Sequence, residues 1–314
     1  MVGFSNIKMK IGKKQIEGNG LFVTLDELMK MRKYAVYHKE NVRKKTFSQQ
    51  VGDIKSAFKG RGIEMEEIRK YQFGDDVRDI DWRVTARKNN PYTKVYLEEK
   101  DREILVWLDL SQTMLFGSVY ELKSVTAAKI AALLGWVAIN NGDRFGCVIF
   151  DGEKSWVFKP KHDRAYLTVI LKKIAEVSLY VLKTNAYVEE EKIKSLKLIK
   201  ESVKNKANLF VVTSFWEWEG LYLTELAMLA KLTKVFLINV FDRLEEKAPK
   251  QGQYMAEFNG DKIVFDSSVK EYRKKYAKYF EQKRKEKEDF CRKFGCSLTN
   301  FNVDMGFVNG LKIY

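Results

Sequence analysis

Three oxygen-bearing side chains recur at alternate positions in Asp109-Leu-Ser111-Gln-Thr113. One carboxylate and two hydroxyls leaving a single loop are hard ligands, suited to Mg²⁺ or Mn²⁺ in an octahedral shell that water completes. The preceding run, Ile104-Leu-Val-Trp-Leu108, is continuously apolar, as in a strand buried on both faces, so the loop falls where a sheet ends. The structural alternative is that Asp109 caps the turn that follows while Ser111 and Thr113 satisfy backbone groups.

The elements after this loop alternate. A helix is expected from about Lys123 to Asn140, stopped by Asn141-Gly142-Asp143, then a strand Arg144–Phe150 and, across the tight turn Asp151-Gly152, its antiparallel mate Ser155–Phe158. Helices fit 162–177 and 187–205, separated by the polar break Lys183-Thr184-Asn185. Two further apolar strands, Leu209–Thr213 and Val235–Val240, flank a helix over Leu221–Lys231. Strands separated by helices need crossover connections, so the fold class is α/β: a doubly wound, mainly parallel sheet with one antiparallel edge strand. Ligands on such sheets lie beyond the carboxyl ends of strands, here Asp109–Ser111, Thr213–Phe215 and Val240–Asp242.

On a sheet of this order, the Asp109-x-Ser111-x-Thr113 loop resembles the metal-ion-dependent adhesion site of von Willebrand A domains. That resemblance implies Mg²⁺ or Mn²⁺ held by Asp109, Ser111 and Thr113, with Thr184 matching a threonine of a second loop by chain order. It also implies an aspartate after the Leu209 strand, where this chain has Ser214, so the site is degenerate at that position. Thr113 departs too, since serine is more usual there.

Upstream, Gly60-Arg-Gly62 is followed by Arg69-Lys-Tyr71, Gly74-Asp75-Asp76-Val-Arg78-Asp79-Ile-Asp81-Trp82-Arg83 and Ala86-Arg87. This block is identified as the signature of the family known as domain of unknown function 58. Asp242 with Glu245, and the Tyr-rich helix ending Cys291-Arg-Lys-Phe-Gly295, extend the likeness over almost the whole chain. Physically, the acids alternate with arginines, so Asp75, Asp76, Arg78, Asp81 and Arg83 are expected to form an ion-pair network anchored by Trp82. Such a network serves as a structural brace or as a partner-binding surface. Family membership implies a MoxR-type AAA+ ATPase as partner, acting with this chain in maturation or assembly of client protein complexes.

The residues before about 100 lack a long apolar period, so the expected division is an N-terminal β-rich subdomain over 1–100 and a von Willebrand A-like domain with a basic C-terminal helix over 101–314. A formal net charge of +15 attracts nucleic acid, anionic lipid or an acidic protein, and much of the excess lies in 30–45 and 270–293. Those clusters carry the rival reading, a nucleic-acid-binding protein. The longest apolar stretch, Ile130–Ile139, is about half of the ~20 residues that span a bilayer and reads as a buried helix. No secretory h-region opens the chain, and Cys147, Cys291 and Cys296 lack metal spacing, so a cytoplasmic location is expected. The phosphate loops Gly-x4-Gly-Lys-Ser/Thr and Gly-x-Gly-x-x-Gly and the elbow Gly-x-Ser-x-Gly are absent, and His38 and His162 are isolated. The expectation is a non-enzymatic adaptor whose Asp109 loop faces outward and captures an acidic group of its partner through the metal.

Overall fold

In the computed structural model, residues 20–35, 65–96, 102–249 and 252–307 are described, apart from 74, 89, 185, 203–206, 216–217 and 259–260. Most of the first basic cluster, His38, Gly60, Gly62 and Gly74 lie outside these residues. The chain divides into two compact units, 58–102 and the remainder. The expected boundary near residue 100 is therefore right at one end only. Residues 20–35 belong with the sheet, not with an N-terminal subdomain. There, α1 (Leu25–Lys30) opens on a capping box between Thr24 and Glu27, buries Leu28, and receives the Trp136 indole N–H on the Leu28 carbonyl at 3.1 Å.

The larger unit is α/β, a mainly parallel sheet with one antiparallel edge strand. Its strands are β3 (Glu103–Asp109), β4 (Arg144–Phe150), β5 (Ser155–Lys161), β6 (Ala207–Thr213), β7 (Lys234–Phe241) and β10 (Ser297–Asn302). They lie in the order β10-β7-β6-β3-β4-β5, all pairs parallel except β4 with β5. The chain winds outward from β3 through β4 and β5, then returns to β6 on the other side. The β3/β6 junction is thus the topological switch point, where doubly wound sheets open a crevice at their carboxyl ends.

All seven residues of β3 are buried, as its apolar run requires. Leu105 and Trp107 share one core with Leu196 and Ile199 of α5 (Glu189–Ser202), Tyr222, Leu226 and Leu229 of α6 (Gly220–Leu232), and Cys291 of α8 (Lys270–Phe294). Alternate residues of a strand face one way, so Asp109 continues the Leu105–Trp107 row toward α5. α3 (Lys123–Asn141), buried along almost its whole length, packs on the sheet, with α4 (Arg164–Thr184) against it. It ends at Gly142, whose φ of 81° is the left-handed cap that the Asn-Gly pair foretold.

Two elements escape the apolar pattern. β10 pairs with β7 as the sixth strand, and a hairpin of β8 (Gln253–Phe258) and β9 (Asp261–Asp266) precedes α8. In the 58–102 unit, β1 (Met65–Lys70) pairs antiparallel with β2 (Tyr92–Tyr96), and a 3-10 turn over Val77–Asp79 and the short α2 (Trp82–Lys88) connect them.

Candidate functional site

The switch point holds a closed polar cluster. Asp109 Oδ1 accepts from the Ser111 backbone N–H at 2.9 Å and from Ser111 Oγ at 2.6 Å, and Ser111 Oγ lies 3.2 Å from Thr113 Oγ1. Asp109 Oδ2 accepts from Thr213 Oγ1, at the carboxyl end of β6, at 2.7 Å. The same oxygen meets the Lys192 ammonium at 3.2 Å. That ammonium also lies 5.4 Å from the ring centres of both Tyr187 and Tyr222. Burial opposes charge on Asp109, but Lys192, Ser111 and Thr213 outweigh it and hold the carboxyl below its usual range.

The sequence thus brings Asp109, Ser111 and Thr113 together as expected, but the outward-facing capture site does not form. Asp109 and Ser111 have no solvent exposure, and the Lys192 side chain is 3% exposed. Thr184 sits in the last turn of α4, exposed, its hydroxyl donating to the Tyr180 carbonyl at 3.4 Å. The reason is local: α4 runs on to Thr184, beyond its expected end near residue 177, so that hydroxyl satisfies its own helix. Ser214 supplies no anion.

These residues do not fit a divalent cation. Both carboxylate oxygens are taken, and the charge that a metal would neutralise is neutralised by a fixed ammonium. Among the described residues, no group of three or more His, Cys, Asp or Glu side chains is disposed to hold a metal.

Lys192 and Thr213 are the site residues that the motif reading missed. Lys192 stands in the charged run Glu189-Glu-Glu-Lys-Ile-Lys-Ser-Leu-Lys, which looks like a solvated face. Helical spacing tells otherwise, because Lys192, Ser195, Leu196 and Ile199 fall on one stripe and all are buried. α5 is fixed in register by the Trp107 indole N–H, which donates to Ser195 Oγ at 2.8 Å. Its start is fixed by Val188 N–H, which donates to the Gly152 carbonyl at 2.7 Å.

A second acidic pair closes the end of β7. Asp242 caps the short α7 (Arg243–Glu246) and accepts from Ser118 N–H at 2.7 Å and Ser118 Oγ at 2.8 Å. Asp304 approaches the same Ser118 hydroxyl at 3.5 Å and accepts from Arg243 N–H at 3.2 Å. Burial, together with the neighbouring Asp242, pushes Asp304 up to about 6. Lys123, itself 2% exposed, pairs with Glu245 at 2.5 Å.

The signature block divides into braces and an exposed set. Asp75 receives both guanidinium arms of Arg69, at 3.0 and 2.7 Å, and the Gln72 N–H at 2.8 Å. That backbone bond, with Arg69, lowers its pKa. Asp76 caps the 3-10 turn through Arg78 N–H at 2.9 Å. Asp81 caps α2 through Val84 and Arg83 N–H, at 3.1 and 3.0 Å, and lies 3.6 Å from Lys94. Trp82 is not the expected anchor, since it is 70% exposed. Phe73 and Val77 are exposed with it, as are Arg78, Arg83 and Arg87. The acids are consumed by backbone N–H groups of a tight turn, and the arginines and Trp82 are left facing solvent.

This chain is similar to the uncharacterized proteins Rv1480 of Mycobacterium tuberculosis and Mb1516 of Mycobacterium bovis, each 24% identical over 221 residues, covering 69% of this chain and 67% of theirs. Among solved structures, it is similar to the conserved hypothetical protein BatB from Bacteroides thetaiotaomicron (18% identity, 65% of this chain and 90% of that one, TM-score 0.38). Another is an aerotolerance-related membrane protein from Bacteroides fragilis (16% identity, 67% and 94%, TM-score 0.39). No helix among the described residues of the present chain is long and apolar enough to cross a membrane. The profile of the family described as Protein of unknown function DUF58 matches residues 67–286. That span takes in both the Gly-Asp-Asp block and the closed Asp109 cluster, and the chain belongs to the DUF58 family.

Proposed function

We propose that the protein is a non-enzymatic, cytoplasmic binding protein that docks an acidic partner through the exposed face of its 58–102 unit. The observation that carries this reading is the grouping, within ten residues, of Phe73, Val77 and Trp82 as exposed apolar side chains beside the exposed Arg78 and Arg83. Trp and Arg dominate binding hot spots, and folded monomers seldom leave such side chains clustered in water without a use. The tight turns capped by Asp75, Asp76 and Asp81 hold these groups in place, which lowers the entropy lost on docking.

The partner implied by family membership is a MoxR-type AAA+ ATPase, with a client complex beyond it. Arginine in the surface favours a carboxylate-bearing partner face. The α/β unit then acts as a rigid support: its switch-point cluster is closed by Lys192 and Asp109, and docking needs no Mg²⁺ or Mn²⁺.

Co-expression with the MoxR-type ATPase of the same genome, followed by size-exclusion chromatography, tests the reading. Wild type is expected to co-elute with the ATPase, and Trp82→Ala to elute alone with an unchanged melting temperature. Co-elution of both refutes it. If the chain instead retains duplex or single-stranded oligonucleotide, with an affinity that falls steeply with log salt, the basic-cluster reading replaces it.

A further inference from the structure

An opening of mixed polar and apolar lining lies beside the closed cluster, under α8 at the carboxyl ends of β6, β7 and β10, with a volume of about 60 Å³. Roughly 10–15 Å³ of such space holds one water, so it accommodates a small group of several non-hydrogen atoms. Ser214 lines it, is 6% exposed, and leaves its hydroxyl with no hydrogen-bond partner. An unsatisfied buried hydroxyl costs about 1–3 kcal/mol, so its presence in a cavity wall asks for a ligand. The next residue, Phe215, has φ 47°, an unfavourable conformation for a bulky side chain, and this bend sets Ser214 at the cavity wall.

Lys287 of α8 lines the same opening. Its ammonium reaches Asn239 Oδ1 at 3.5 Å, a long contact, and no carboxylate among the described residues comes within salt-bridge range of it. Asn239 in turn donates to Asn300 Oδ1 at 2.8 Å. The acids that line the opening are already engaged: Glu245 by Lys123, and Glu246 by Arg284. Lys283 is paired with Glu286 at 3.3 Å. What the cavity offers is a cation with no salt bridge among the described residues, held only by the long Asn239 contact and by the Phe215 ring at 5.9 Å, together with the Ser214 hydroxyl and side-chain amides.

We propose that this cavity is an oxyanion site, in which Lys287 and Ser214 hold a phosphate or carboxylate group at the top of the sheet. Burial, against the pull of Glu245 and with the push of the cations Lys123, Lys283 and Arg284, holds the Lys287 ammonium down to about 8. An anion placed against it supplies a counter-charge and satisfies Ser214 in the same step. The site lies within the larger unit, and neither reading depends on the other.

Isothermal titration of the full chain with inorganic phosphate and, separately, with acetate tests the proposal. Wild type is expected to bind at least one of the two saturably, and the tighter of them identifies the source as a phosphate or a carboxylate. Lys287→Met is expected to weaken that binding more than tenfold, and Ser214→Ala several-fold, each with a wild-type circular dichroism spectrum. Lys287→Arg, which keeps the charge, should retain binding and covers the event that Lys287→Met fails to fold. Absence of saturable binding of both anions by wild type overturns the proposal, as does binding that Lys287→Met leaves unchanged.

Discussion

Replacing Lys192 by methionine would leave a carboxylate with no solvent exposure and no counter-charge. Removing one partner of a buried ion pair costs about 3–5 kcal/mol, far above the ~1 kcal/mol ceiling of exposed pairs, because the remaining charge is stranded. Lys192→Met is therefore expected to lose at least about 3 kcal/mol in urea unfolding, and Lys192→Met with Asp109→Asn to recover part of it. A loss below about 1 kcal/mol would show that the ammonium does not neutralise Asp109. The Asp242/Asp304 pair makes a different prediction. Asp304 is pushed up to about 6 from an ordinary 3.8, so the folded state holds a proton that the unfolded chain releases sooner. Its contribution to stability is complete below about 3.8 and is lost as pH rises through about 6. Melting temperatures between pH 4.5 and 7 should fall relative to those of Asp304→Asn as pH rises. Parallel profiles would contradict the raised Asp304 carboxyl.

At the scale of elements, α5 decides the site, since it carries Lys192 to β3. Its entry is fixed at Gly152, whose φ of 107° suits glycine alone and where a Cβ would collide with the Ala186 carbonyl. Gly152→Ala is expected to destabilise by at least about 1–2 kcal/mol. Gly220→Ala, with φ 59° but open space around it, should cost less, which paired thermal melts resolve. The central elements were legible because burial on both faces writes a continuous apolar run: β4 matches its expected span, and β3, β6, β7 and α3 begin or end within two residues of theirs. Asp109, Ser111 and Thr113 were legible for the same reason, being set by where β3 stops. β10 was not, because Ser297-Leu-Thr-Asn-Phe-Asn is an edge strand with polar residues between its apolar ones. Thr184 was misplaced because chain order gives no sign that α4 runs on to Thr184 and ties that hydroxyl to its own last turn. Lys192 was hidden because a lysine among glutamates reads as surface until the helical stripe is traced.

For the whole molecule, the proposed function assigns different work to the two units. The larger one buries Asp109, Ser111 and Thr213 at its strand ends and pairs Asp109 with Lys192. The smaller one buries little, uses its acids to cap turns, and presents arginine and aromatic side chains. The division predicts that variants sort by unit: changes at the switch point alter stability, and changes on the exposed face of the 58–102 unit alter binding. The most direct measurement is the dissociation constant of the MoxR-type ATPase, at a temperature where both variants remain folded, for Ser111→Ala with Thr113→Ala at the strand end, and Trp82→Ala with Arg83→Glu on the smaller unit. The first pair is expected to bind within twofold of wild type and the second to lose more than tenfold. Loss of binding in the strand-end pair, with the Trp82 and Arg83 pair unaffected, would place the partner at the Asp109 loop and contradict the account.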